Sequence, residues 1–162
     1  MPVQEKRAGV LDTPLGKDKL AIVRFDGSEG VNELFEWRLE AVSAEGDIDF
    51  DGLIGKHATL TINGVNGRKR KFDGIVTEAR WLGVRDHFHA YRLVLRPWLW
   101  VLSQRTDNYI FHEMSVTDII ADVFSDYGAL ADFEDRTSTA FPPMEYCVQY
   151  RESDMAFVCR LM

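Results

Sequence analysis

Two histidines have the spacing that comes closest to a metal site. His87 and His89 lie two positions apart in a predicted strand, so both side chains would point to one face of a sheet, as a metal site there requires. Tyr91 continues that face, and a third ligand at matching spacing is missing. His112, which precedes Glu113, is not followed by the second histidine of the helical zinc motif. We therefore expect solvated or interface histidines and no bound metal.

Carboxylates crowd one loop without completing a catalytic or calcium-binding motif. Asp47, Asp49 and Asp51 alternate as in a calcium loop, but the glycine and the terminal glutamate of the helical calcium motif are absent in register. The sequence also contains no nucleophile elbow, phosphate loop or dinucleotide fingerprint. We expect a solvated loop, no catalytic residue and no cofactor, so that the chain is not an enzyme.

The two cysteines, Cys147 and Cys159, are each set among apolar residues. Two thiols in 162 residues are not a disulfide framework, and no histidine lies near either one in sequence to activate a catalytic thiol. Both are predicted to be small buried side chains.

The excess of acidic over basic residues makes some classes of binding partner unfavourable. The formal net charge of −7 disfavours binding to nucleic acid and to anionic membranes. The one dense basic run, residues 68–71, follows a predicted hairpin turn, and docking to an acidic protein ring is favoured over nucleic acid. The longest apolar run, residues 98–102, is far below the roughly 20 residues of a membrane span. No apolar block follows the charged N-terminus, so neither membrane insertion nor a secretory signal is predicted.

Alternating sequence patterns predict a mainly β fold, in which antiparallel strands form a barrel-like domain. On the clearest strand, Trp37, Leu39 and Ala41 share one face while charged residues occupy the other. Short turns between strands favour a meander or small barrel. The predicted strands cover residues 20–25, 34–42, 57–63, 68–82 and 87–96. We assign a loose leader to residues 1–18, the barrel domain to 19–102 and a helix–strand–helix segment to 103–162.

Finer predictions concern the register and turns of this barrel. The inward residues are predicted to be Phe35, Trp37, Leu39, Leu60 and Ile62. Gly74 is a candidate bulge or bend, and residues 63–67 and 83–86 are predicted turns. The aromatic residues Trp37, Trp81, Tyr91, Trp98 and Trp100 could line a carbohydrate groove, although such residues more often close a core or an interface.

The best predicted helix begins after Ser115. This serine can cap the first turn, Asp118 can partly complete a capping box, and Gly128 supplies a left-handed stop. The apolar stripe of this helix consists of Val116, Ile119, Ile120, Val123, Phe124 and Tyr127. Pro97 opens a helical turn at 98–102, short strands are predicted at 108–111 and 146–150, and Ser153 caps a second helix that is still under way at residue 162. We expect the chain to be part of a longer protein.

Three blocks of the sequence resemble the VgrG (Rhs-element Vgr) family of type VI secretion, in family order and over nearly the whole chain. The blocks are residues 13–18 with 25–30 and 34–36, residues 96–100 with 111 and 115–120, and residues 146–154 with 157–158 and 160–162. Met155 and Cys159 stand where the family suggests an aromatic residue and a serine.

The resemblance implies a fold like the hub protein of contractile phage baseplates. It also implies a structural hub of the tail spike that forms a homotrimer and docks on the hexameric tube protein, Hcp. Baseplate components and secreted effectors would be further partners, with assembly in the bacterial cytoplasm and export by the type VI machine. The second barrel and the spike would lie outside this chain, so these residues alone are expected to be monomeric or weakly associating. Two other functions stay open: a small barrel that binds a glycan or peptide, and part of a cell-wall hydrolase.

Overall fold

The chain forms two compact units, Met1–Pro97 and Trp98–Met162. The computed structural model describes residue 4 and residues 7–162, except for the side chain of Val65. The helical turn that begins at Trp98 belongs to the second unit, whereas the predicted barrel domain extended to residue 102.

The first unit is a curled antiparallel sheet, which confirms the predicted fold class. Its strands are β1 (Gly9–Asp12), β2 (Ala21–Ser28), β3 (Glu36–Ser43), β4 (His57–Asn63), β5 (Lys69–Arg85) and β6 (Phe88–Arg96). They are ordered β1-β4-β5-β6-β3-β2, and every pair is antiparallel. The curl brings the two edge strands close enough for the Arg7 guanidinium, just before β1, to donate a hydrogen bond to the Ile22 carbonyl of β2 at 3.1 Å.

The core of this sheet follows the predicted alternation. Trp37 and Leu39 of β3 are buried and lie opposite Leu95 and Leu93 of β6. Leu60 is also fully buried, while Phe35 and Ile62 are partly buried and pack against the same cluster. The predicted register is therefore confirmed, because a slip of one residue would have turned these side chains to solvent.

The predicted leader is wrong where β1 forms. Residues 9–12 pair with β4, and Leu11 lies opposite Leu60 in the buried core. The Gln4 side chain extends this contact, since its amide donates to the Leu11 carbonyl at 3.1 Å and its oxygen accepts from the Leu11 amide at 2.8 Å. A strand of four residues is too short to show a period of two in the sequence, and its pairing is long-range. Residues 1–3, 5 and 6 of the predicted leader lie outside the described residues.

Gly74 does not form the predicted bulge. It pairs regularly with Ala58, and the irregularities of β5 lie further along, between residues 76 and 78 and between residues 81 and 83. A Cβ atom at Gly74 would lie 2.9 Å from the Arg96 carbonyl oxygen and 3.1 Å from the Phe35 ring. The glycine therefore permits a close approach between strands.

The turn between β5 and β6 lies later than predicted. Strand β5 continues through Gly83 to Arg85, which pairs with Phe88. The two intervening residues, Asp86 and His87, have φ values of 48° and 68°. Two consecutive residues with positive φ give a two-residue hairpin the twist of its flanking strands.

The second unit places helices against one face of a two-stranded ribbon. Its elements are a 3-10 helix (Trp98–Gln104), β7 (Thr106–Met114), α1 (Val116–Ser125), a 3-10 turn (Gly128–Leu130), β8 (Met144–Ser153) and α2 (Asp154–Leu161). The ribbon is the antiparallel pair of β7 and β8. Its buried cluster comprises Leu102, Phe111, Ile119, Val123, Phe124, Cys147, Phe157 and Val158. Neither α-helix of the described chain has the length and apolar character needed to cross a membrane.

The predicted cap of α1 is confirmed. The Ser115 hydroxyl accepts from the Asp118 amide at 3.2 Å, and the Asp118 carboxylate accepts from the Ser115 amide at 3.4 Å. Gly128 has the predicted positive φ of 55°, but the helix has already ended at Ser125 and this glycine opens the following 3-10 turn.

Candidate assembly surfaces

The predicted histidine pair does not converge on a metal site. His87 lies in the exposed turn before β6, whereas His89 is half-buried in that strand with its ring packed against Gly46. The Nδ1 atom of His89 is buried and has no hydrogen-bond partner among the described residues. No three His, Cys, Asp or Glu side chains in the described part of the chain are grouped so that they could hold a metal ion.

The crowded carboxylates and the basic run both lie at the surface. The Asp49 carboxylate accepts from the Asp51 amide at 3.0 Å, which is a local turn contact. Residues 68–71 are exposed, and within this run Arg70 forms an ion pair with Glu29 and stacks on Phe72 at 4.6 Å. Docking of this run to an acidic protein ring stays a prediction.

The two cysteines differ in environment. Cys147 is buried in β8 as predicted, but Cys159 is exposed, so that prediction is wrong. Cys159 follows the buried Val158 on α2. Consecutive helical positions point about 100° apart, so the thiol turns away from the core.

Of the five predicted aromatic residues, three lie in the first unit and two in the second. Trp37 and Tyr91 are buried in the first unit, where Tyr91 donates to the Glu45 carbonyl at 2.9 Å. Trp81 is exposed in the same unit, while Trp98 and Trp100 belong to the second unit. Most of these rings therefore serve a core.

The segment shared by β8 and α2 contains a polar network that sequence reasoning missed. Asp154, the first residue of α2, is only 2% exposed. Its two carboxylate oxygens accept hydrogen bonds from the Tyr127 hydroxyl at 2.5 Å and from the Gln149 amide at 2.7 Å. Burial and this bond to a carboxylate raise the pKa of Tyr127 well above its ordinary value. A carboxylate just after a helix cap, followed by four apolar residues, was the available sequence signal.

Arg105 extends this network toward solvent. Its guanidinium donates to Asp126 at 2.5 Å and to Asp107 at 2.7 Å, and it lies 3.8 Å from Asp154. The hydrogen bonds that Arg105 donates to these carboxylates, that to Asp126 first, raise the pKa of Arg105, and its bond to Asp107 lowers the pKa of that carboxyl. The contacts of Arg105 with these three carboxylates connect β7, the end of α1 and the start of α2.

A second ion pair fastens α2 to β8. The Arg160 guanidinium donates to Glu152 at 2.6 Å and to the Val148 carbonyl at 3.0 Å. The bond from Arg160 lowers the pKa of Glu152, and the Ser153 hydroxyl caps the helix by accepting from the Ala156 amide at 3.1 Å. The polar residues of the block 146–154 therefore hold the start of α2 in place.

The outward face of the ribbon carries exposed apolar residues on two neighbouring strands. Tyr146 and Tyr150 are 63% and 64% exposed, and Val148 between them pairs with the exposed Ile110. His112 completes this outer ribbon face opposite Tyr146. Exposed apolar surface of this kind marks contact sites in assemblies.

The chain belongs to the phage tail baseplate hub (GPD) family, which matches residues 28–162. The resemblance to VgrG proteins is confirmed by curated relatives. The type VI secretion system spike proteins VgrG1b and VgrG1a of Pseudomonas aeruginosa are 42% and 38% identical over 98% and 99% of this chain. The chain covers 21% and 25% of those proteins.

Solved structures share the fold at low sequence identity. The E. coli c3393 protein, a component of the type VI secretion system, matches with a TM-score of 0.76 and 19% identity, over 93% of this chain and 42% of that one. A 43 kDa prophage tail protein from Shewanella oneidensis matches with a TM-score of 0.56 and 17% identity, over 94% and 46% of the two chains. These relatives are named as type VI secretion spike proteins and as a prophage tail protein.

Proposed function

We propose that this chain is the first hub region of a type VI secretion tail spike. In the longer protein it forms a homotrimer and docks on the hexameric tube protein. The family match over residues 28–162, together with relatives named as spike proteins, carries this proposal. Baseplate components and secreted effectors are its further partners, and it assembles in the cytoplasm before the machine exports it.

The outer ribbon face supports an assembly role. Tyrosines are enriched in protein interfaces because they combine a large apolar ring with a hydroxyl. Two tyrosines with Ile110 and Val148 supply such a surface on one face of the ribbon. The net charge of −7 disfavours nucleic acid as an alternative partner.

The mass of a longer chain tests the proposal. The 162 residues should be monomeric or weakly associating at micromolar concentration, whereas a chain extended to the length of its relatives should give the mass of a trimer in light scattering. The extended trimer should also bind the tube protein of the same organism. A monomeric extended chain, or a trimer that does not bind the tube protein, would contradict the proposal.

The contribution of the outer ribbon face can be measured in the extended chain. Replacing Tyr146 and Tyr150 together with serine should weaken assembly at least about tenfold, because buried aromatic residues dominate interfaces. Val31→Ser is the control, since Val31 is 92% exposed in the first unit and should leave assembly unchanged. Equal effects of the two changes would exclude the ribbon from the assembly contact.

A further inference from the structure

An apolar groove lies in the second unit, among the residues that the structure describes. Its volume is about 570 Å³, which falls in the range of roughly 300–1,000 Å³ common for ligand sites. Three aromatic rings line it in succession, with Trp98 and Phe124 at 4.9 Å and Phe124 and Phe133 at 4.8 Å between ring centroids. Leu99, Ile120 and Met162 complete the apolar lining. Phe133 is 48% exposed, so this wall of the groove faces water.

The rim of the groove is acidic. Asp132, Glu134 and Asp135 lie along one side, with Arg136 as the cation among the lining residues. Arg136 is already paired with Glu134 at 2.6 Å, and Asp132 and Asp135 form no ion pair with any residue that the structure describes. The Asp135 carboxylate accepts from the Thr137 amide at 2.8 Å, which lowers the pKa of this carboxyl and keeps it charged. Two uncompensated negative charges therefore border an apolar surface.

We propose that this groove docks an amphipathic segment of a partner protein, in which apolar side chains are flanked by lysine or arginine. Apolar residues one helical turn apart, about 5.4 Å along the axis, match the succession of rings at 4.8–4.9 Å. Basic flanks would neutralise Asp132 and Asp135. This surface is additional to the trimer and tube contacts of the hub function.

Charge complementarity argues against the other occupants. A second copy of the chain in a symmetric contact would place the same acidic rims opposite each other, and like charges across an interface are unfavourable. An anionic membrane is repelled by the same rim. A basic segment is the partner for which the apolar lining and the rim both favour binding.

Two synthetic peptides test the proposal on the 162-residue chain. Both are helical and about four turns long, with two leucines four positions apart. One carries lysines around the leucines and the other carries glutamates. Fluorescence anisotropy should show binding of the lysine peptide, with affinity at least about tenfold higher than that of the glutamate peptide because like charges repel. Salt should weaken the binding, since the screening length falls from about 10 Å at 0.1 M to about 3 Å at 1 M.

Paired variants locate the binding in the groove. Phe133→Ser should weaken binding of the lysine peptide by roughly 10-fold to 100-fold, as removal of one buried aromatic contact predicts. Phe141→Ser is the matched control, because Phe141 is 44% exposed in the same connecting loop but does not line the groove. The double change Asp132→Asn and Asp135→Asn should remove most of the salt dependence while keeping the side-chain oxygen that accepts from Thr137. This double variant leaves the aromatic lining intact, so it tests the rim independently of any folding effect at Phe133.

Three results would overturn the proposal. The first is equal affinity for the two peptides, and the second is an equal loss in Phe133→Ser and Phe141→Ser. The third is concentration-dependent self-association that Phe133→Ser abolishes, which would assign the groove to a second copy. None of these results depends on whether the extended chain forms a trimer.

Discussion

The two units of this chain are specified in different ways. The first unit buries alternating apolar residues from six strands, and none of its described buried residues carries a charge. The second unit buries the carboxylate of Asp154 together with Gln149 inside a smaller apolar cluster. A periodic apolar pattern determines a register, whereas a buried carboxylate selects the partners that can satisfy it. One hub segment can therefore combine two kinds of core. The core of the first unit is specified by alternating apolar residues, and that of the second unit depends also on the polar contacts of a buried carboxylate.

The largest effect is expected from a cavity in the first unit. Leu39→Ala should lower the free energy of unfolding by about 2–5 kcal/mol, because Leu39 is fully buried opposite Leu93. Urea denaturation followed by circular dichroism measures the change. Val23→Ala is the control, since Val23 is 61% exposed on β2 and should change stability by less than about 0.5 kcal/mol. If Leu39→Ala lowered the free energy of unfolding by less than 1 kcal/mol, the stability of this unit would not depend on its alternating apolar residues.

A slightly smaller effect is expected from the polar network of the second unit. Asp154→Ala should cost about 2–4 kcal/mol, because the Tyr127 hydroxyl and the Gln149 amide would each lose a buried acceptor. Asp122→Ala is the control, since this carboxylate is exposed on α1 of the same unit. Hydrogen exchange should show the loss first in the amides of α2. If Asp154→Ala were as stable as the wild type, the second unit would be specified by its apolar cluster alone.

The sequence predicted much of the first unit, because period-two patterns report directly on burial. Strand β4 was predicted with the bounds it has, and the inward face of β3 was correct. The misses have local causes. Strand β1 is too short to show an alternating pattern. The turn at Asp86 and His87 depends on positive φ values, which a glycine in the sequence would have predicted but these two residue types do not.

The candidate surfaces were less predictable. The outer ribbon face requires knowledge of which side of β7 and β8 the helices cover, and no single-strand pattern supplies that. The network around Asp154 joins residues that are far apart in the chain, such as Arg105 and Gln149. The groove is lined on one side by the loop around Phe133, which carries no periodic signal.

The cap of α1 should have a moderate effect in the second unit. Ser115→Ala removes the hydroxyl that accepts from the Asp118 amide and donates to the Asp118 carboxylate at 2.6 Å, and should cost about 1 kcal/mol. Ser125→Ala, at the exposed end of the same helix, should cost less. Ile120→Asp should also be destabilising, because Ile120 packs against the apolar cluster. Unchanged thermal stability of Ser115→Ala would show that packing alone fixes the start of this helix.

The smallest effect concerns an ion pair on the outer face of the first unit. The Arg96 guanidinium donates to Glu36 at 2.6 Å, and this bond lowers the pKa of Glu36 below its ordinary value of 4.5. Because the folded state then binds the Glu36 proton less tightly than the unfolded state, the pair stabilises the fold above pH 4.5 and its contribution is lost as the pH falls below that value.

Glu36→Gln should therefore cost about 0.5–1 kcal/mol at pH 7, and the difference from wild type should vanish in strong acid. Glu33→Gln is the control at pH 7, because it removes a carboxylate with no ion pair among the described residues and should leave stability unchanged. A constant difference between Glu36→Gln and wild type from pH 7 to pH 3 would show that the pair contributes through packing rather than through charge, and the first unit would then depend on its apolar pattern even at its surface.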